Sequence, residues 1–168
     1  AFDPDHQFLY VSDTLAHEIW VFNQNGEYLF KLGGRGDQEA QLNFPSHLSF
    51  ADDRLFVNDT MNFRIQIFSH DGQHLQSFGK HGTGSGYFVQ PKGVAVDSDG
   101  HIYVADALAN QVQVFDRDGT FLLGFGQTGN EPGEFMMPAG LTILDDIVYV
   151  ADSHNQRVQV FRYLKEEQ

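Results

Sequence analysis

The sequence has no cysteine, few basic residues and no long hydrophobic run, and each shortage excludes a class of protein. Without cysteine the chain cannot hold disulfides, a thioether-bound haem or a cysteine-ligated zinc ion. Lys and Arg number 10 against 23 Asp and Glu, and the resulting net charge of −13 repels phosphate backbones and anionic membrane surfaces. A nucleic-acid partner is therefore unexpected. No apolar run approaches the length of a membrane-spanning helix, so membrane insertion is not expected either.

The composition is that of a globular domain. The chain has 168 residues, of which 41% are hydrophobic, and 17 are glycine. This length is sufficient for one domain with a buried core.

A fixed internal repeat dominates the chain. The pattern aromatic-Val-x-Asp occurs four times and ends at Asp13, Asp59, Asp106 and Asp152. A Phe that closes a hydrophobic run follows nine residues after each Asp, and the first three of these are followed by Pro45, Pro91 and Pro138. Because a repeat of 46 or 47 residues marks a structural unit, the fold is predicted from the unit rather than from local propensity.

Each unit is predicted to form four short β-strands and no helix. In the third unit the strands are expected at 93–96, 101–105, 112–115 and 121–125, with Asp118-Gly119 as the hairpin turn before the last. Such a small sheet cannot bury both faces alone, so neighbouring copies must stack on it. The chain is therefore predicted to be an all-β protein, a β-propeller of four-stranded antiparallel blades.

The repeat resembles that of the NHL family. The family pattern of Pro-x-Gly, a hydrophobic run, Tyr-Val-Ala-Asp and Asn-x-Arg-Val-Gln-Val-Phe is nearly complete from Pro138 to Phe161. The second unit keeps Asn62 and Arg64, whereas the third has Ala109 in place of the Asn. The resemblance implies a propeller that serves as an interaction platform, an RNA binder or an enzyme.

The units are expected at about 1–44, 45–90, 91–137 and 138–168, with the first and last incomplete. The first lacks the Pro-x-Gly entry, and the last lacks a hairpin dipeptide and a fourth strand. Since propellers of this family usually have six blades, the chain is expected to be the C-terminal portion of a larger ring. The edge at 158–161 would then pair with a missing upstream strand or with another subunit. A true four-bladed protein and a ring closed by two copies are the alternatives.

Residues that recur in every unit are interpreted as structural. Asp13, Asp59, Asp106 and Asp152 each end a second strand, where a carboxylate can accept hydrogen bonds from backbone N–H groups. Pro45, Pro91 and Pro138 fix the entry to the innermost strand.

Residues that break the repeat are the candidates for function. His47 replaces a glycine on the strand expected to line the central channel, which makes it a weak candidate ligand for zinc or calcium. Trp20 replaces a Gln on a third strand, His154 is expected near a strand end, and Arg35 lies in a connection between units. These three are candidate partner contacts, although the Arg-Gly-Asp tripeptide that Arg35 opens is interpreted as a coincidence. No catalytic or cofactor-binding residue is assigned.

The sequence therefore predicts a non-catalytic scaffold that binds a protein partner through propeller faces and loops. The alternative is a metal-assisted lyase or hydrolase with its site in the channel, as in the NHL-like amidating lyases and the lactonase propellers. RNA binding is a weaker option, because the basic residues are scattered among an excess of acids. No cofactor is expected. The resemblance to NHL proteins with acidic, Gly-rich repeats implies a bacterial periplasmic or secreted protein, and the absence of cysteine is consistent with that location.

Overall fold

The computed structural model describes residues 1–162, which form fifteen strands in four antiparallel sheets. The first sheet contains β1 (Phe2–Asp3), β2 (Phe8–Asp13), β3 (Glu18–Phe22) and β4 (Tyr28–Gly33). The second contains β5 (Pro45–Ala51), β6 (Arg54–Asp59), β7 (Arg64–Ser69) and β8 (His74–Phe78). The third contains β9 (Pro91–Val96), β10 (Ile102–Asp106), β11 (Gln111–Phe115) and β12 (Phe121–Phe125). The fourth contains β13 (Pro138–Leu144), β14 (Ile147–Asp152) and β15 (Arg157–Arg162).

Within each sheet the strands lie side by side in chain order, as in a propeller blade. The first strand of each later sheet contacts the sheet before it, so the four sheets follow one another in chain order. The prediction of an all-β propeller with about four blades is confirmed. No helix within residues 1–162 has the length and apolar character needed to cross a bilayer.

Two single-turn 3-10 helices, Thr60–Asn62 and Ser153–Asn155, correct the prediction of units without any helix. Each follows a repeat aspartate and ends in an Asn whose side-chain amide donates to that carboxylate, at 2.8 Å for Asn62 and 2.9 Å for Asn155. The other two units have alanine at this position and form ordinary turns. The Asn-to-Asp bond accounts for the tighter backbone.

The core is divided into three hydrophobic clusters, one between each pair of neighbouring sheets. Tyr10 and Ile19 of the first sheet pack on Leu55 and Val57 of the second. A second cluster joins the second and third sheets, and a third joins the third and fourth. Because side chains alternate across a strand, each inner sheet contributes one set of residues to the cluster before it and another to the cluster after it. The sheets therefore depend on their neighbours for burial.

Candidate interaction surface

The fourth sheet has one face that no described residue covers. We call the side that bears Val158 and Val160 the trailing face; their exposed fractions are 62% and 59%. The same repeat positions in the second sheet are Ile65 and Ile67, which are fully buried against the third sheet. The trailing face thus has the composition of a covered blade face while lying open.

The first sheet is open on the opposite side. We call the side that bears Leu9 and Val11 the leading face; both residues are 43% exposed. Their counterparts Leu55 and Val57 are fully buried against the first sheet. The two open faces are therefore the two halves of one repeated interface, exposed at opposite ends of the array.

The edge of β15 is also without a partner strand among residues 1–162. In the first three sheets the third strand pairs on both sides, for example Val112 with Ala105 and with Phe125. β15 pairs with β14 alone. This is the edge at which the sequence predicts a partner strand, and its free N–H and C=O groups can accept one.

Trp20 lies on the leading face, half-buried rather than between two described sheets. Its counterpart Gln66 donates to the Gln41 carbonyl at 2.6 Å and so ties the second sheet to the connection that precedes it. Trp20 has no such role, and its buried Nε1 makes no hydrogen bond. Its ring lies 5.3 Å from that of Tyr28 and 5.9 Å from Lys31 Nζ. An outside partner can therefore contact the exposed part of the ring but not the buried Nε1.

Lys31 is the charged group next to Trp20. Its Nζ donates to Glu18 Oε1 at 2.7 Å, and this hydrogen bond raises the pKa of the ammonium. The pair neutralises itself at the rim of the leading face. An apolar partner can therefore approach without meeting a free charge there.

The repeat aspartates hold the framework behind these surfaces. Asp59 is fully buried and accepts the Asn43 N–H at 2.6 Å, Arg64 Nε at 2.8 Å and Gln66 Nε2 at 3.0 Å. The same guanidinium donates to the Gln41 carbonyl at 2.9 Å. One carboxylate thus fixes the third strand to the connection between two sheets.

Asp152 repeats this arrangement in the fourth sheet. It accepts the Met136 N–H at 2.8 Å, Asn155 Nδ2 at 2.9 Å and Arg157 Nε at 2.7 Å. Burial opposes ionisation, but these donors outweigh it and lower the pKa of Asp152 below its ordinary value of 3.8. The carboxylate therefore stays ionised in the folded protein to a lower pH than in the unfolded chain, and its contribution to stability is lost as the pH falls from 3.8 through the lower pKa of the folded state.

The hydrogen-bond network around the repeat aspartate is smaller in the third and first units. Asp106 is buried and accepts the N–H groups of Val89 at 2.7 Å and Gln90 at 2.8 Å. Asp13 is exposed and accepts the Ala16 N–H at 3.1 Å. The number of donors therefore falls where the Arg and Asn of the pattern are replaced.

His47 lies on β5, where burial lowers the pKa of the imidazole and the positive charge of the N-terminus lowers it further. Within residues 1–162, one group of three side chains could hold a metal ion, and it consists of His6, Asp53 and His70. His47 is not part of it. All three residues lie in strand-to-strand turns, and sequence analysis missed the group because it does not show that the turns of two units meet.

The other candidate contacts lie on separate elements. His154 is exposed in the 3-10 turn of the fourth sheet. Arg35 is exposed in the connection after β4. The Asp37 of its tripeptide takes part in a contact that the repeat makes twice. Arg64 donates to the Asp37 carbonyl, as Arg157 donates to the Asn130 carbonyl in the fourth unit. The backbone carbonyl of Asp37 therefore helps to hold the connection against the third strand of the second sheet.

Antiparallel sheets that follow one another in chain order, each burying its neighbour, define a β-propeller architecture. Within it, residues 88–115 and 135–161 match the family model of the NHL repeat. The fold is thus that of a propeller array, and two of its four units match the NHL repeat. The sequence matches no curated protein.

Solved structures share the fold at low identity. The chain is similar to an auxiliary nutrient binding protein from Bacteroides thetaiotaomicron (12% identity, TM-score 0.72, 95% of this chain and 46% of that one). It is also similar to the virginiamycin B lyase of Staphylococcus aureus (13%, 0.67, 99% and 55%) and to the WD40 repeats of RRP9 (16%, 0.67, 96% and 49%). The chain spans about half the length of these solved chains.

Proposed function

We propose that this chain is a non-catalytic protein-interaction scaffold that binds its partner by sheet stacking, in the way its own sheets bind one another. The observation that carries the proposal is the exposure of Val158 and Val160, whose counterparts Ile65 and Ile67 are fully buried. Fully burying one such side chain contributes about 1.5–3 kcal/mol. A contiguous apolar sheet face of this kind is a protein-binding surface.

The partner that fits best is a second copy of the chain. The trailing face matches the side of an inner sheet that meets the following sheet, and the leading face matches the side that meets the preceding one. Stacking the trailing face of one copy on the leading face of another repeats a contact that each copy already makes internally.

Sedimentation velocity tests this contact. The parent chain is expected to associate, and more strongly as salt is raised, because each copy has a net charge of −13 and salt screens their repulsion. The double variant Val158→Lys/Val160→Lys is expected to weaken association by about tenfold or more, since it places two ammonium groups in the apolar contact.

The matched control is Leu75→Lys/Leu122→Lys. These leucines are 52% and 47% exposed, on the outer strands of the second and third sheets. The control should associate like the parent. Equal association of all three proteins, or a parent chain that stays monomeric at high concentration and high salt, would contradict sheet stacking with a second copy.

The alternative of a metal-assisted lyase or hydrolase in the channel has no specific support from the geometry. Likeness to a virginiamycin B lyase at 13% identity shows the fold alone. Within the described chain, His47 lacks the further ligands that a metal centre requires.

A further inference from the structure

A groove lies between β12, the outer strand of the third sheet, and β15 of the fourth sheet. It has a volume of about 470 Å³, and most of the side chains that line it are apolar. Leu122 and Phe125 of β12 lie on one side, and Phe161 and the exposed Arg162 of β15 lie on the other. Clefts of this size with an apolar lining and a few polar groups are typical of ligand sites.

The equivalent space between the second and third sheets is filled by an aromatic ring. The ring of Phe115, which ends β11, lies 4.7 Å from that of Phe78 and 5.6 Å from that of Phe88. Phe121 of β12 adds a third contact, edge-on at 5.9 Å. It also covers the connection before β9, since a Cβ at Gly86 would lie 3.6 Å from Phe121 Cβ. The fourth strand of the third sheet thus closes this interface with one ring.

Phe161 reproduces two of these three contacts in the fourth sheet. Its ring lies 4.9 Å from that of Phe125 and 5.7 Å from that of Phe135. Among residues 1–162 the fourth sheet has no fourth strand to supply the counterpart of Phe121, and the groove lies at that place. At the equivalent glycine, Gly133, a Cβ would meet none of the described atoms within 4 Å. The groove therefore has the position of one aromatic side chain of the repeat.

The same aromatic contact recurs in the other two four-stranded sheets. Tyr28, the first residue of β4, meets Phe22 edge-on at 6.3 Å. His74, the first residue of β8, meets Phe68 edge-on at 5.6 Å. Edge-on pairs of this kind are favourable beyond the area that they bury. The repeat thus specifies what fits on Phe161: an aromatic ring at the start of a strand that pairs with β15.

Arg162 replaces the residue that closes the hairpin into the fourth strand. The equivalent position in the other sheets has a side-chain oxygen that accepts a backbone N–H four residues later, in Asn23, Ser69 and Asp116. A guanidinium has donors only and cannot take that role. The residue at this position therefore favours a strand that does not follow β15 through the tight hairpin of the repeat.

The charge of Arg162 also specifies the residue before the aromatic ring. In the first sheet the amide of Asn23, the counterpart of Arg162, donates to Glu27 Oε2 at 2.7 Å. Glu27 directly precedes Tyr28. An acidic residue at the same place in an added strand would meet the Arg162 guanidinium, and charged partners make the stronger hydrogen bonds.

We propose that the groove and the edge of β15 bind an extended segment of a partner protein in which an acidic residue precedes an aromatic one. The segment adds to β15 as a fourth strand, its ring packs on Phe161, and its carboxylate pairs with Arg162. In strand addition, main-chain hydrogen bonds supply affinity and side-chain pockets supply specificity. The groove lies on the side of the fourth sheet opposite the trailing face, so this contact is separate from sheet stacking.

Fluorescence anisotropy with a labelled peptide tests the site. The probe is a free peptide of residues 26–33, a fourth-strand sequence of this chain that carries Glu27 before Tyr28. It is expected to bind the parent protein with a Kd on the order of 10 µM. The same peptide with Tyr28→Ala should bind at least about tenfold more weakly, because it leaves the groove unfilled. The peptide with Glu27→Gln should bind more weakly to the parent but not to an Arg162→Gln protein.

A pair of protein variants locates the binding. Leu122→Arg changes one wall of the groove and is expected to reduce peptide affinity at least about tenfold. Leu75→Arg, at the equivalent and similarly exposed position of β8, should bind like the parent. Equal binding by the two variants, equal binding of the Tyr28→Ala peptide, or no binding by the parent would overturn the proposal. Peptide affinity that falls as the protein concentration rises would assign the groove to a second copy and overturn it as well.

Discussion

Replacing Asp59 with alanine is expected to destabilise the folded protein by about 3–5 kcal/mol. The substitution leaves the partly buried Arg64 guanidinium without its carboxylate and removes the acceptor of the Asn43 N–H and the Gln66 amide. Donors left unsatisfied in a buried site lose far more than one ordinary hydrogen bond contributes. The measurement is the free energy of unfolding in urea, followed by circular dichroism.

Asp13→Ala is the matched control, because Asp13 occupies the same repeat position in the first sheet. It is exposed and accepts the backbone N–H of Ala16 at 3.1 Å. Its loss is expected to reduce stability by about 1 kcal/mol or less. Similar losses for the two variants would show that the buried Arg and Gln contacts do not carry the stability assigned to them.

The substitution Gly93→Ala, which adds one methyl group, is expected to destabilise the protein by about 3 kcal/mol. Gly93 lies on the innermost strand of the third sheet, and a Cβ there would come within 2.8 Å of Gly140 Cα and 2.9 Å of the Leu141 nitrogen. Both are backbone atoms of the neighbouring innermost strand, so a side chain cannot move aside to relieve the clash. Separating the two strands would loosen the cluster between the third and fourth sheets.

Gly140→Ala tests the same chemical change at the equivalent position of the next sheet. A Cβ at Gly140 would meet no atom within 4 Å, so this variant should keep its stability within about 0.5 kcal/mol. Thermal and urea unfolding of both variants measure the difference. If Gly93→Ala were as stable as Gly140→Ala, the close approach of the two inner strands would be wrong.

Much of the fold could be predicted because the repeat carries it. The repeat aspartate and the Phe at or near the end of the third strand occur in all four units, and the hairpin dipeptide occurs in three of them. The strand predicted at 121–125 is the observed β12. The 3-10 turns were missed, because the bond from Asn62 to Asp59 is a side-chain effect that strand propensity does not include.

The surfaces were harder to predict from sequence. Val158 has the same pattern position as the buried Ile65, so its exposure depends on what lies beside the sheet and not on the residue itself. The group of His6, Asp53 and His70 was missed for a related reason. Its members belong to two units, and their convergence follows from the stacking of sheets rather than from spacing along the chain.

Cross-linking with introduced cysteines tests most directly whether the trailing and leading faces meet. The chain has no cysteine of its own, so Val160→Cys and Val11→Cys each place one thiol on one face. Mixed and treated with a short bismaleimide, the two variants are expected to form the mixed dimer in clear excess over either homodimer. Cross-linking of Val160→Cys to itself at the same or a higher yield, or no cross-linked dimer, would contradict the account.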